Sequence, residues 1–149
     1  MRVFLSHADE DALWARQLSV ALHRKGIEVL DPSAKAFPGK NPYLALGQAL
    51  ERADALVFLI SPRFSKSSRV DTELEFALFQ PRFKGRLAAV VRSRDHAAAA
   101  PWIVRRLNSL IVTRDPLLAA KRLADQFLGQ HKGRGRRASV ASWGFSLAR

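Results

Sequence analysis

Cysteine is absent from the 149-residue sequence, which excludes disulfide bonds and thiolate metal sites. No apolar run approaches the roughly 20 residues of a membrane-spanning helix. The amino-terminal stretch MRVFLSHADED becomes acidic too early for a signal peptide. We therefore expect a cytoplasmic protein without a membrane segment. At this length, one domain with a full hydrophobic core is the simplest organisation.

Several motifs of common enzymes are also missing. The sequence has no G-x-G-x-x-G and no G-x-S-x-G, and Pro38-Gly39-Lys40 lacks the spacing of a phosphate-binding loop. The four histidines are scattered and match no metal-ligand spacing. A dinucleotide-binding fold of the usual kind, a serine hydrolase and a metal site are therefore disfavoured.

Acidic residues are scarce beside basic ones, with 13 Asp and Glu against 25 Lys and Arg, so the formal net charge is +12. A basic surface favours anionic partners such as nucleotides, phosphates or nucleic acid, but it does not choose among them. The last residues, 131–149, contain no acid and five of these cations: Lys132, Arg134, Arg136, Arg137 and Arg149.

Short apolar runs alternate with amphipathic stretches along the chain. The runs predict strands over residues 2–5, 27–30, 55–60, 86–91 and 110–112, and the stretches predict helices over 12–25, 43–53 and 117–128, with another after Ser61-Pro62. Such alternation indicates a parallel sheet, and right-handed crossovers limit it to a flavodoxin-like order. We expect an α/β three-layer sandwich, a five-stranded parallel sheet with helices on both faces.

The stretch SPRFSKSSRVDTELEFALFQ, residues 61–80, is the centre of the predicted site. It reads as the end of a buried strand, a loop and a helix that faces the crevice where open α/β sheets bind ligands. Glu73 lies at the edge of the apolar face of that helix, whereas Asp71 and Glu75 share the more polar flank. A carboxylate in this setting is a candidate for chemistry. The alternative is a helix-flank glutamate that keeps its carboxylate in water.

Three stretches together resemble the Toll/interleukin-1 receptor (TIR) domain family, in its bacterial stand-alone form. Val3-Phe4-Leu5-Ser6-His7 resembles the first-box motif, and Phe37-Pro38-Gly39 resembles the tip of the BB loop. Ser61-Pro62, then Ser67-Ser68 and Glu73-Leu74, are similar to the S-P…S-x-W-x-x-x-E-L pattern of enzymatic members. The resemblance covers residues 1–128; residues 129–149 form a basic tail, expected to be flexible or to bind a partner.

Two departures from the family pattern stand out. Arg69 occupies the position where the family often has Trp, and the third box, normally Phe-Trp, is at best Pro101-Trp102. A cation at position 69 could face the phosphates of a substrate in place of the aromatic contact.

The resemblance implies an enzyme that cleaves the N-glycosidic bond of NAD in bacterial defence or signalling. It releases nicotinamide and either ADP-ribose or a cyclic isomer, so NAD is the substrate and no cofactor or metal is needed. Glu73 is then the catalytic residue, and the substrate-binding residues are Ser6, His7, Ala8, Phe37, Ser61 and Arg69. For Ser6 and His7 the alternative is that they only end a strand, since a lone loop histidine is usually solvated. For Phe37 the alternative is that its ring anchors the loop by packing against the protein.

The resemblance also implies a homo-oligomer, formed through the loop that begins at Asp31 and ends at Pro42. A separate protein is expected to activate the enzyme or to respond to its product. The rival interpretation is a non-catalytic module that only self-associates. A nucleic-acid-binding module, suggested by the charge alone, is the weakest of the three.

Overall fold

The structure is a computed structural model, and it describes residues 1–31, 41–62, 64, 80–98 and 110–132. The strands are β1 (Arg2–Ser6), β2 (Glu28–Leu30), β3 (Ala55–Ile60), β4 (Leu87–Val91) and β5 (Leu110–Val112). The helices are α1 (Ala12–His23), α2 (Pro42–Arg52), the short α3 (Arg94–Ala98) and α4 (Pro116–Lys132). The predicted helix around Glu73 lies outside the described residues.

The five strands form one parallel sheet in the order β2-β1-β3-β4-β5. This is the flavodoxin-like order, so the predicted fold class is confirmed. All six residues of β3 are buried, because β3 lies at the centre of the sheet and both of its faces are covered. Its uninterrupted apolar sequence is what a strand in that position requires.

Alternate residues of the strands feed two separate cores, one on each face of the sheet. Ala55, Val57 and Leu59 of β3 pack on the side of α1 and α4. Leu56, Phe58 and Ile60 pack on the opposite side, with α2. Because successive side chains of a strand point to opposite faces, β3 contributes core residues that pack against the helices on both sides of the sheet. Within the described residues, no helix is long and apolar enough to cross a membrane.

The helix ends follow local sequence chemistry. Gly26, which follows α1, has a φ of +79°, which glycine adopts at little cost. The carboxylate of Asp115 accepts a hydrogen bond of 2.9 Å from the backbone N–H of Leu117 and so caps α4. That helix continues to Lys132, four residues beyond the predicted end at Leu128.

Helix α1 differs from its sequence pattern at Leu13. The apolar residues at helical spacing include Leu13, Trp14 and Leu18, but Leu13 is 73% exposed, whereas the neighbouring Trp14 is buried. The indole N–H of Trp14 donates to the carbonyl of Arg114, 3.2 Å away. The sequence indicates Asp9 or a neighbour as the N-cap, and Asp11 occupies that position, although its side chain makes no capping hydrogen bond. The carboxylate of Asp11 instead points toward the guanidinium of Arg92.

Phe64 anchors the chain where it leaves β3. Its backbone N–H donates to the carbonyl of Ser61 at 3.0 Å, which closes a tight turn. Its fully buried ring packs edge-on against Phe58, with ring centres 6.2 Å apart and an interplanar angle of 86°. The turn that holds Ser61 is therefore fixed to the core by an aromatic pair.

We predict that Phe64→Ala lowers the free energy of unfolding by about 3–5 kcal/mol, because it leaves a cavity beside Phe58. Urea denaturation followed by circular dichroism measures the change. The matched control is Leu44→Ala, since Leu44 is 58% exposed on α2 and its truncation should change stability by less than about 0.5 kcal/mol. Equal effects of the two substitutions would show that the Phe64 ring is not a core anchor.

Candidate functional site

The carboxyl ends of β1 and β3 form the candidate site. From β1 the chain passes to β2 on one side of the sheet, and it then returns to β3 on the other side. A crevice opens outside the strand ends at such a switch point, and ligands bind there in open α/β sheets. The register pairs Ser6 with Phe58, so the ends of the two strands lie side by side.

Four of the predicted substrate-binding residues meet at this switch point. Ser6 ends β1, His7 and Ala8 follow it, and Ser61 follows β3. All four are buried, with Ser6 and His7 only 1% exposed, Ser61 3% and Ala8 4%. The structure therefore brings together two stretches that are more than fifty residues apart in the sequence.

His7 is tied to the protein through both ring nitrogens. Nδ1 lies 2.8 Å from the carbonyl oxygen of Ala8, and Nε2 lies 2.9 Å from a carboxylate oxygen of Asp31. A carbonyl can only accept a hydrogen bond, and so can an ionised carboxylate. The two contacts therefore hold the imidazole ring from both sides and fix its orientation.

The His7–Asp31 pair joins two strand ends and the start of a long loop. Asp31 directly follows β2 and is the first residue of the loop predicted over residues 31–42, of which Pro42 already begins α2 in the structure. The side chain of His7 is 1% exposed and that of Asp31 is 22% exposed, so the contact is largely shielded from water. The alternative of a solvated loop histidine is therefore wrong. Contact of His7 with a substrate stays a prediction.

Asp11 and Arg92 also lie at the carboxyl edge, although no sequence motif indicates either of them. Arg92 directly follows β4, and its guanidinium Nη1 is 3.9 Å from Oδ1 of Asp11. The Asp11 side chain is only 9% exposed, whereas that of Arg92 is 42% exposed. The second oxygen of Asp11 has no hydrogen-bond partner within the described part of the chain. The half-exposed guanidinium brings a positive charge to the crevice edge.

Three predicted site residues, Phe37, Arg69 and Glu73, lie outside the described residues, so their roles stay predictions. Among the residues that are described, no three His, Asp or Glu side chains are grouped so as to hold a metal ion. The described part of the site thus contains two buried serines, the contact of His7 with Asp31, and an edge arginine. Such a set can bind and orient a polar, anionic ligand.

A flavodoxin-like sheet with buried polar side chains at its switch point is typical of α/β domains that bind ligands at the carboxyl ends of their strands. Within that class, the profile of the TIR domain family matches residues 3–124. The chain therefore belongs to the TIR domain family. The match spans both β1 with Ser6-His7 and β3 with Ser61, which confirms the family resemblance of the sequence.

Solved structures agree on the fold. The chain is similar to the TIR domain of the Toll-related receptor TRR-2 from Hydra magnipapillata, with a TM-score of 0.63 and 17% identity over 90% of this chain and 98% of that one. It is also similar to the TIR domains of the activated Roq1 resistosome, which directly recognises the pathogen effector XopQ. There the TM-score is 0.53 and the identity is 20%, over 84% and 80% of the two chains. No curated protein sequence matches significantly.

We predict that Asp31→Asn lowers the free energy of unfolding by about 1–3 kcal/mol, since it leaves the buried His7 ring without its charged partner. Thermal and urea unfolding measure the loss. The matched control is Asp9→Asn, because Asp9 is exposed and the same chemical change there should be nearly neutral.

A double-mutant cycle isolates the contact itself. With His7→Gln as the second substitution, the two changes should be non-additive by at least about 0.5 kcal/mol. Strict additivity would mean that the two side chains do not stabilise each other.

Proposed function

We propose that this TIR domain is an enzyme that cleaves NAD at the bond between nicotinamide and ribose. The observation that supports the proposal is that Ser6, His7, Ala8 and Ser61 are all buried at the carboxyl ends of the neighbouring strands β1 and β3. These residues belong to two of the stretches that resemble the family, and the stretch with Ser61 resembles the pattern of its enzymatic members. The third element is Glu73, which sequence spacing places in the helix after the same β3 end.

The chemistry needs few protein groups. The C1′–N bond of the nicotinamide ribose breaks, and its electron pair neutralises the cationic ring nitrogen, so the leaving group requires no proton. Positive charge develops on C1′ and the ring oxygen, as in glycoside hydrolysis. In the proposed mechanism Glu73 faces this charge and hydrogen-bonds the ribose hydroxyls. Water then attacks C1′ to give ADP-ribose, or an adenine nitrogen attacks to give a cyclic isomer.

The other residues have binding and positioning roles in this proposal. In this proposal the nicotinamide side of the substrate is bordered by Ser6, His7 and Ala8 together with Ser61, and Arg69 faces its phosphates. The His7–Asp31 contact fixes the first residue of the loop that carries Phe37, which would close over the nicotinamide. Removal of water from the closed crevice would strengthen the interaction of Glu73 with the developing charge.

A non-catalytic assembly module is the second candidate, because Arg69 replaces the aromatic residue that enzymatic members often have. One measurement distinguishes the two candidates: pure protein is incubated with NAD, and nicotinamide release is followed over time. The enzyme releases nicotinamide, whereas the assembly module does not. The assay must include concentrated protein, since the proposed enzyme acts as an assembly. In either role a separate protein would trigger or receive the signal.

We predict that Glu73→Gln abolishes NAD cleavage, with a loss on the order of a hundredfold or more, as for other preorganised charges at a transition state. The substitution keeps the size and hydrogen-bonding capacity of the side chain but removes its charge. Nicotinamide release under saturating NAD measures the effect.

The matched control is Glu75→Gln, two residues away on the more polar flank of the predicted helix, which should retain most of the activity. Circular dichroism should show both variants folded, because an edge carboxylate contributes little to stability. Full activity in the Glu73 variant, or an equal loss in the Glu75 variant, would place the catalytic carboxylate elsewhere.

We also predict that activity depends on self-association through the loop 31–42. Specific activity should rise with protein concentration and follow the appearance of oligomers in light scattering. Phe37→Ala should reduce both, whereas the exposed-residue control Leu44→Ala should reduce neither. Constant activity per molecule across a wide dilution series of a monomeric protein contradicts the proposal.

A further inference from the structure

The amino ends of the parallel strands form the edge of the sheet opposite the crevice, which we call the amino edge. Strand β1 begins there, and three described segments lead into the next strands: residues 24–28, 51–54 and 81–86. The backbone N–H of Asp54 donates to the carbonyl of Arg2 at 2.8 Å. The backbone N–H of Leu56 donates to the carbonyl of Arg86 at 3.0 Å. The start of β1 and the turns before β3 and β4 therefore lie side by side.

The amino edge is rich in cations. Its segments and the start of β1 contain seven Lys and Arg residues: Arg2, Arg24, Lys25, Arg52, Arg82, Lys84 and Arg86. They contain only three acids, so their formal net charge is +4. The described charged segments after the strands, residues 7–11, 31, 92–95 and 113–115, contain six acids and three arginines. Of the two edges, as far as the structure describes them, the amino edge therefore carries the positive charge.

Arg82 is held in place by the end of helix α2. Its guanidinium donates two hydrogen bonds to carbonyls of that helix, 2.6 Å to Glu51 and 2.7 Å to Leu50. It also lies over the ring of Phe83, 4.6 Å from the ring centre. A guanidinium has five N–H donors, so Arg82 has donors beyond these two. Because the planar group is already oriented, it loses little further freedom when it binds a phosphate.

Asp54 holds two further arginines of the amino edge. Its carboxylate accepts a hydrogen bond of 2.7 Å from the backbone N–H of Arg2 and lies 3.9 Å from Nε of the same residue. Its backbone carbonyl accepts a hydrogen bond of 3.4 Å from Nη1 of Arg86. The other four cations are exposed. The edge thus combines three oriented guanidinium groups with four cations that face water.

We propose that the amino edge binds the phosphate backbone of a nucleic-acid duplex without reading its base sequence. Contacts of Lys and Arg with phosphates release counterions, and this release supplies essentially all of the affinity in such binding. Five of the seven cations are arginines, whose planar guanidinium can bind a phosphate through two hydrogen bonds. The inference concerns the edge opposite the crevice and does not rest on the proposed NAD chemistry.

The extent of the amino edge suits a duplex. Strands β2, β1, β3 and β4 are neighbours in that order, and at about 4.8 Å per strand pair they span roughly 14 Å. Double-stranded DNA carries one charge per about 1.7 Å of its axis, so this length faces about eight phosphates. Helix α4 runs back from β5 and ends at Lys132, and the sequence continues with Arg134, Arg136 and Arg137. A duplex backbone can therefore meet several cations at once.

The apolar residues of the amino edge argue against two other anionic partners. Proteins that bind single-stranded nucleic acid stack its bases on aromatic side chains. Phe83, the one aromatic residue in these segments, is fully buried. An anionic membrane also attracts cations, but stable anchoring requires a second, apolar signal. In the segments of this edge Ile27 is fully buried, and Met1 at the start of the chain packs against the core.

The test uses the full chain and two fluorescently labelled DNA duplexes of about 20 base pairs with unrelated sequences. Fluorescence anisotropy should give a Kd below about 100 µM at about 0.15 M salt, within about threefold for the two duplexes. The logarithm of the binding constant should fall linearly with that of the salt concentration, with a slope between about −3 and −6. NAD should not displace the duplex, because the crevice lies at the opposite edge.

Charge-reversed variants locate the binding surface. The double variant Arg52→Glu/Lys84→Glu should weaken duplex binding at least about tenfold and make the salt slope shallower by about two. The matched control is Arg16→Glu/Lys121→Glu, which changes the net charge by the same amount at exposed positions on α1 and α4. It should weaken binding less than about threefold, because salt screens charges that do not contact the duplex. Thermal unfolding confirms that both variants remain folded.

Several results would overturn the proposal. One is no binding of either duplex, another is an equal loss in the control variant, and a third is tighter binding of single strands of the same length. Displacement of the duplex by NAD would assign the binding to the crevice. Capture by anionic vesicles that is lost in Arg52→Glu/Lys84→Glu, without duplex binding, would assign the edge to a membrane. Oligomers that the same variant dissociates, again without duplex binding, would assign it to a second copy.

Discussion

The pairing of β1 with β3 determines where polar groups can lie at the site. Both faces of β3 are covered, and its six residues are all buried and apolar. A polar side chain placed within that strand would lose its hydration without gaining partners. Polar chemistry therefore begins only beyond the strand ends, at Ser6 and Ser61, and the register brings these ends together. The Phe58–Phe64 contact then keeps the turn after β3 from moving away.

The His7–Asp31 contact shows how a buried polar ring is tolerated in this setting. An imidazole at 1% exposure without polar partners would lose its hydration and gain nothing in return. Its two nitrogens instead face a carbonyl oxygen and a carboxylate oxygen. The same contact couples the end of β1 to Asp31, which follows β2. Displacement of Asp31 would take that oxygen away from the buried ring, so the contact favours a fixed position for Asp31.

Sequence patterns predict the strands and helices that are determined by neighbouring residues. They do not predict contacts between residues that are far apart in the chain. The bounds of β3 and β5 agree with prediction because each is an apolar run flanked by polar residues. Leu13 and Trp14 are both apolar and adjacent, but only Trp14 lies on the helix face of the buried Leu18 and Leu22, four and eight residues further on. His7 meets Asp31 and Asp11 meets Arg92 across 24 and 81 positions, and no local pattern carries that information. The one sequence feature that points to Arg92 as a site residue is its position directly after the apolar run of β4.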